Sequence, residues 1–154
     1  MTQVQASREL VRDCALAYER TPYHAAGRVK GVGVDCLTFI VGVYEDAQLI
    51  PKQNLPHYNA LWHLHKEEEK YIEAITRYCF EFNREQDVWR NPQTGDLILY
   101  KMGRCFSHAV VVLEWPTRVI HARFLRNVYC TDPRIDADLR GRPRRFFTFW
   151  KDDL

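Results

Sequence analysis

Several common protein classes are excluded by what this sequence lacks. No stretch approaches the about 18 consecutive apolar residues of a membrane-spanning helix, so no membrane insertion is expected. The first residues, Met1-Thr2-Gln3-Val4-Gln5-Ala6-Ser7-Arg8, show no basic region followed by an apolar core. No export signal is therefore expected, and synthesis in a reducing cytosol follows as an expectation. No Cys-x-x-Cys pair occurs, and His63-Leu64-His65 has no spaced cysteine partner, so neither a metal site nor a cofactor is expected. The five cysteines are odd in number and irregularly spaced in a chain large enough to fold without disulfides, which argues for free thiols. A net charge of +2 does not by itself mark a polyanionic partner. With no internal repeat and no linker, residues 1–154 read as a single domain.

What the chain does contain suits a packed globule: 46% hydrophobic residues, 13% aromatic and 27% charged. Val4, Val11, Cys14, Ala15 and Tyr18 recur at helical spacing, with Arg8, Glu9, Arg12 and Asp13 on the opposite side, and Thr21-Pro22 ends that helix. A second helix is expected over residues 35–47, where Cys36, Phe39, Ile40, Val43 and Ala47 form one stripe and Asp35 is a favoured N-cap. Between Pro51 and a third amphipathic helix at 67–82 (Tyr71, Ile72, Ile75, Cys79 and Phe82 on one face) lies a ring-rich stretch, 57–65. After the turn Asn91-Pro92-Gln93-Thr94-Gly95 the period changes to that of strands, at 96–100, 107–113 and 118–122, with shorter ones at 127–130 and 145–150. Helices first and strands second predict an α+β fold, N-terminal helices packed on a central antiparallel β-sheet.

Cys36 sits on the first turn of its helix, behind Gly31-Val32-Gly33-Val34-Asp35. Unpaired N–H groups and the positive dipole end there favour a thiolate. Position alone also suits a core cysteine, as it does for Cys14 and Cys79. Two histidines inside apolar strands, His108 and His121, change the balance. A four-residue loop, Glu114-Trp115-Pro116-Thr117, pairs Leu113 with Arg118 and sets Val110 opposite His121. Strand alternation then puts His108 and His121 on one face as diagonal neighbours. Joined to Cys36, they supply a nucleophile, a base (His108) and a group that fixes the base's tautomer (His121), with backbone N–H groups at the helix start, Cys36's own among them, as oxyanion donors.

Five motifs together, Thr21-Pro22-Tyr23, Asp35-Cys36, Gly95-Asp96-Leu97-Ile98, Ser107-His108-Ala109-Val110-Val111 and Ile120-His121-Ala122, resemble those of the NlpC-type papain-like cysteine peptidases. The Gly31–Cys36 variant is similar to members encoded beside bacteriophage tail genes. The resemblance implies a papain-like NlpC-type fold and hydrolysis of peptide bonds in bacterial peptidoglycan, with Cys36, His108 and His121 catalytic. It also implies substrate contacts from Tyr23, Asp35 and Ser107, and delivery by phage tail-tip proteins as part of a virion. Two departures stand out. Leu37-Thr38 replaces the small residues usual after the cysteine, marking a place where specificity can differ, and the two histidines lie one residue further apart than usual.

A reading from another class is a structural tail-tip protein that keeps the fold with little or no activity. The cluster Arg134, Arg140, Arg142, Arg144 and Arg145 is a candidate partner surface rather than a nucleic-acid site, because no aromatics interleave it before Phe146. Trp150 is the expected anchor for such a partner. Cys105 and Cys130 read as structural thiols.

Overall fold

The computed structural model describes residues 1–55 and 70–154. Thr2 caps the first helix, α1 (Gln3–Leu16), in a reciprocal box with Gln5. A two-stranded hairpin follows, β1 (Arg28–Val29) and β2 (Gly33–Val34), where a loop was expected. Gly31 takes the hairpin turn at φ 80°, a conformation that favours glycine, and a Cβ on Gly33 would stand 2.7 Å from that of His24. Helix α2 (Cys36–Asp46) starts immediately after β2. Then come α3 (Lys70–Thr76), β3 (Phe80–Phe82), β4 (Leu97–Met102), β5 (Cys105–Glu114), β6 (Arg118–Ala122), β7 (Val128–Thr131), β8 (Arg144–Thr148) and a 3-10 turn at Lys151–Asp153.

The six strands β3 to β8 form one antiparallel sheet in the order β3-β8-β4-β5-β6-β7. This is the expected α+β arrangement. Val11, Phe39, Val43 and Tyr44 from the helices join Leu97, Leu99, Val111, Ile120 and Phe147 in one core. The alternate residues Ile98, Tyr100, Val110, Val112, Val119 and Phe146 make a second core with Phe82 and Leu139. Alternation along the strands thus fills both faces, as the near-continuous apolar runs of β4 and β5 require. Tyr44 also ties α2 to the sheet by donating its hydroxyl to the Gly95 carbonyl at 2.8 Å.

Three expectations are corrected. The helix expected at 67–82 covers only Lys70–Thr76 among the described residues; Phe80–Phe82 is a strand paired with β8. Phe82 therefore belongs to the second core while Ile72, Ile75 and Cys79 belong to the first. Tertiary pairing along the edge of β8, fastened by the twin 2.7 Å bonds of Arg145 to Glu81, overrides a helical spacing that continues through Phe82. Second, Arg8 is not on the solvent side of α1. It is 4% exposed, bonded to Asp96 at 2.9 Å and to Asp153 at 2.5 Å, with its guanidinium 4.0 Å from the Trp150 ring centre. Third, that contact buries Trp150, which is no partner anchor, and two of the clustered arginines are matched within the chain, Arg134 to Asp132 and Arg145 to Glu81. The ring-rich stretch 57–65 lies outside the described residues.

Candidate active site

Asp35 organises the loop-to-helix junction. Its Oδ1 accepts from the Leu37 and Thr38 N–H groups at 3.0 and 2.9 Å, its Oδ2 accepts from the Ala26 N–H at 2.8 Å, and the Thr38 hydroxyl accepts from the Asp35 N–H at 2.8 Å. The carboxylate is 2% exposed. An acidic N-cap so placed satisfies two of the helix's orphan donors and one from the preceding turn. Leu37 and Thr38 N–H groups are consequently bound and are not oxyanion donors. Thr38, the second residue of the Leu37-Thr38 departure, is buried in this capping box, while Leu37 is half-buried. Leu37 instead lines an apolar pocket with Ile40, Val41, Leu55 and Tyr78.

Cys36 is the first helical residue and half-buried. Its Sγ lies 3.8 Å from the carbonyl oxygen of Ser107, the residue before His108. Ser107 is the point at which β5 changes register against β4: His108 pairs with Tyr100, but Phe106 pairs with Lys101. The side chain of Ser107 is buried, its hydroxyl directed to the Met102 carbonyl at 3.4 Å. Such a bulge bends the strand and re-aims the residues on either side of it.

His108 Nε2 and His121 Nδ1 are 2.6 Å apart, with the rings steeply inclined at 75°. The shared face expected from the sequence is thus present, reached by a different route. Val111 pairs with Ile120 and Val112 with Val119, as the four-residue loop requires, yet the loop is one residue shorter. Glu114 pairs with Arg118 around Trp115-Pro116-Thr117, and the register shifts between Val112 and Glu114. The extra residue in β5, Leu113, makes up for the residue missing from the turn.

His121 is fully buried, and burial depresses its pKa to about 4, with Asp136 partly opposing the effect. It is therefore a neutral ring near neutral pH. Its Nε2 has no hydrogen-bond partner, while its ring lies against Tyr129 at 4.7 Å between centres. Tyr23 is carried into the site by the bridge between Tyr23 and Val34, with His24 N–H donating to the Val34 carbonyl at 2.9 Å. Its hydroxyl is pushed up in pKa first by burial, then by Cys36 and Asp35, which places those groups close by. Phe124 meets the Tyr23 ring edge-on at 5.5 Å.

All six residues singled out in the sequence, Cys36, His108, His121, Tyr23, Asp35 and Ser107, thus gather at one end of α2 and β5. Phe124, Tyr129 and Asp136 were missed. Phe124 and Asp136 lie on connections without strand or helix periodicity, and Tyr129 reads from sequence as an ordinary strand aromatic. Among the described residues no group of three or more His, Cys, Asp or Glu side chains is placed to hold a metal, and no helix is long and apolar enough to cross a membrane.

No protein-family model and no curated protein matches this sequence. In three dimensions the chain is similar to the NlpC/p60 domain of the peptidoglycan hydrolase SagA, with a TM-score of 0.57 over 90% of this chain and 96% of that one. At 16% identity, the likeness is one of fold: the chain has the NlpC/p60 architecture.

Proposed function

We propose that this protein is a cysteine peptidase that hydrolyses peptide bonds in the stem peptides of bacterial peptidoglycan. The observation that carries the reading is the 2.6 Å contact between His108 and His121 beside a helix-initial cysteine whose sulfur touches the carbonyl preceding His108. In this reading His108 takes the proton of the Cys36 thiol, and the sulfur attacks the carbonyl carbon of the scissile bond. The negative charge that develops on the carbonyl oxygen is met by Cys36's own N–H at the positive end of α2. His108 then gives its proton to the leaving amine, and water, with His108 again as base, releases the acid from the thioester. His121, neutral and rigidly packed, accepts from His108 Nε2–H and fixes the ring so that Nδ1 is the nitrogen exchanging protons with sulfur. Tyr23 walls the cleft.

The SagA domain supports the choice of peptidoglycan because it belongs, by its description, to a peptidoglycan hydrolase. The Gly31–Cys36 motif supports a finer reading, in which the protein is made in the bacterial cytoplasm and acts from a bacteriophage tail in contact with tail-tip proteins. The test is digestion of purified peptidoglycan with the wild type and with Cys36→Ala, followed by mass analysis of the soluble fragments. New stem-peptide fragments present only with the wild type are the expected result. Identical digests refute the proposal.

A further inference from the structure

A buried imidazole that must stay neutral and still stabilise a cation on its neighbour needs a source of negative potential. The structure supplies one on the side of His121 away from its bond to His108. Tyr129, which pairs with His121 across β6 and β7 and packs against its ring, donates its hydroxyl to Asp136 Oδ2 at 3.3 Å. Thr131 donates to the same oxygen at 2.8 Å, and the Asp138 N–H donates to Oδ1 at 2.8 Å. The two oxygens of Asp136 thus accept three hydrogen bonds, two from hydroxyls and one from a backbone N–H. Its neighbour Asp138 is matched separately by Arg123, through bonds of 2.7 and 2.8 Å. No cation is hydrogen-bonded to Asp136 among the described residues.

We propose that Asp136 is a positioning residue for the His108–His121 pair, holding Tyr129 against His121 and biasing His121 to the tautomer that accepts from His108. With its proton on Nε2, His121 presents the Nδ1 lone pair to His108 Nε2–H, and the negative charge of Asp136 favours this state when His108 becomes an imidazolium. The charged groups acting on His121 are Asp136 and Asp138, which favour positive charge at the pair, and Arg123 and Arg126, which oppose it. Tyr129 and His108 are the titratable rings in contact with it. Asp136 comes first among these charges in its effect on His121. The inference rests on the catalytic reading above for its consequence, but its test needs no peptidoglycan.

The test follows the rate of Cys36 alkylation by iodoacetamide from pH 4 to 10, with the adduct located by peptide mass mapping. Asp136→Asn keeps the shape, and both hydroxyls can turn to accept from the new amide, so the charge is the main loss. Its expected effect is an about three- to tenfold lower rate at pH 7, with the limb due to His108 moved to lower pH by about half to one unit. Arg123→Gln removes a cation and leaves Asp138 unmatched, so it moves the same limb to higher pH. A structural role alone would move both variants in one direction or leave the limb in place. An Asp136→Asn profile that overlays the wild type, or two variants shifting the same way, overturns the inference. Should Asp136→Asn fail to fold, Arg123→Gln alone carries the decision by the sign of its shift. Failure of the catalytic reading shows separately, as a His108→Ala profile indistinguishable from the wild type.

Discussion

Replacing His121 with asparagine measures how much the pair contributes to the acid lability of the fold. The wild-type imidazole has its pKa lowered from the ordinary 6.5 to about 4 by burial. Between these values the unfolded chain takes up a proton that the folded chain refuses, so stability falls as the pH is lowered through that window. Above pH 6.5 the contribution is complete, and below about pH 4 the loss levels off. A difference of 2.5 between the two values, at 1.36 kcal/mol per pH unit, corresponds to a total of about 3.4 kcal/mol. Linkage gives about 2 kcal/mol lost by pH 5 and about 3 kcal/mol by pH 4, relative to pH 7. Asparagine removes the titration along with the ring, at a cavity penalty that does not vary with pH. Urea unfolding of both proteins at pH 7, 6, 5 and 4, read by tryptophan fluorescence, is expected to show the wild-type advantage shrinking by these amounts. A stability gap that stays constant from pH 7 to pH 4 refutes the reasoning, because His121 would then titrate alike in the folded and unfolded chains.

Asp35→Ala removes an N-cap and leaves the Leu37, Thr38 and Ala26 N–H groups without their acceptor, which predicts a loss of about 2–4 kcal/mol in urea unfolding and slower Cys36 alkylation as the helix start frays. Arg8→Met strips the buried Asp96 carboxylate of one of its two cations, so a loss of about 3–5 kcal/mol is expected, and the double variant with Asp96→Asn is expected to lose less than the sum of the singles.

The parts of the fold that were legible in the sequence are those where one local signal acts alone. The stripe Phe39, Ile40 and Val43 behind an Asp35 cap gives α2, and residues 118–122 give β6 end to end. The site was legible for the same reason: two of its elements are a helix start and a strand pair, each with its own period. Elsewhere two signals competed. Phe80 and Phe82 fit a strand as well as they continue a helical stripe, and only β8, more than 60 residues further along the chain, decides between them. Arg8 looked solvent-facing because its partners Asp96 and Asp153 are remote in sequence, and no local pattern announces a buried ion pair. Asp136 escaped because its role depends on a hydroxyl two strand positions from Thr131, delivered by β7 folding back on β6.

The register shift between Val112 and Glu114 has a consequence for how this site tolerates change. Pairing across a hairpin behaves like an even-odd count: one residue dropped at the tip swaps every side chain beyond it to the opposite face, and one residue added along the strand swaps them back. Here the two odd steps cancel before the chain reaches His108 and His121, so parity at the histidines is preserved. Loop length at Trp115-Pro116-Thr117 and strand length at Leu113 are therefore not separately constrained. Deleting Leu113 alone should remove the bulge, leave Val112 opposite Val119 and keep the histidine contact, whereas a strand straightened with Leu113 retained, so that Leu113 falls opposite Val119, should break it.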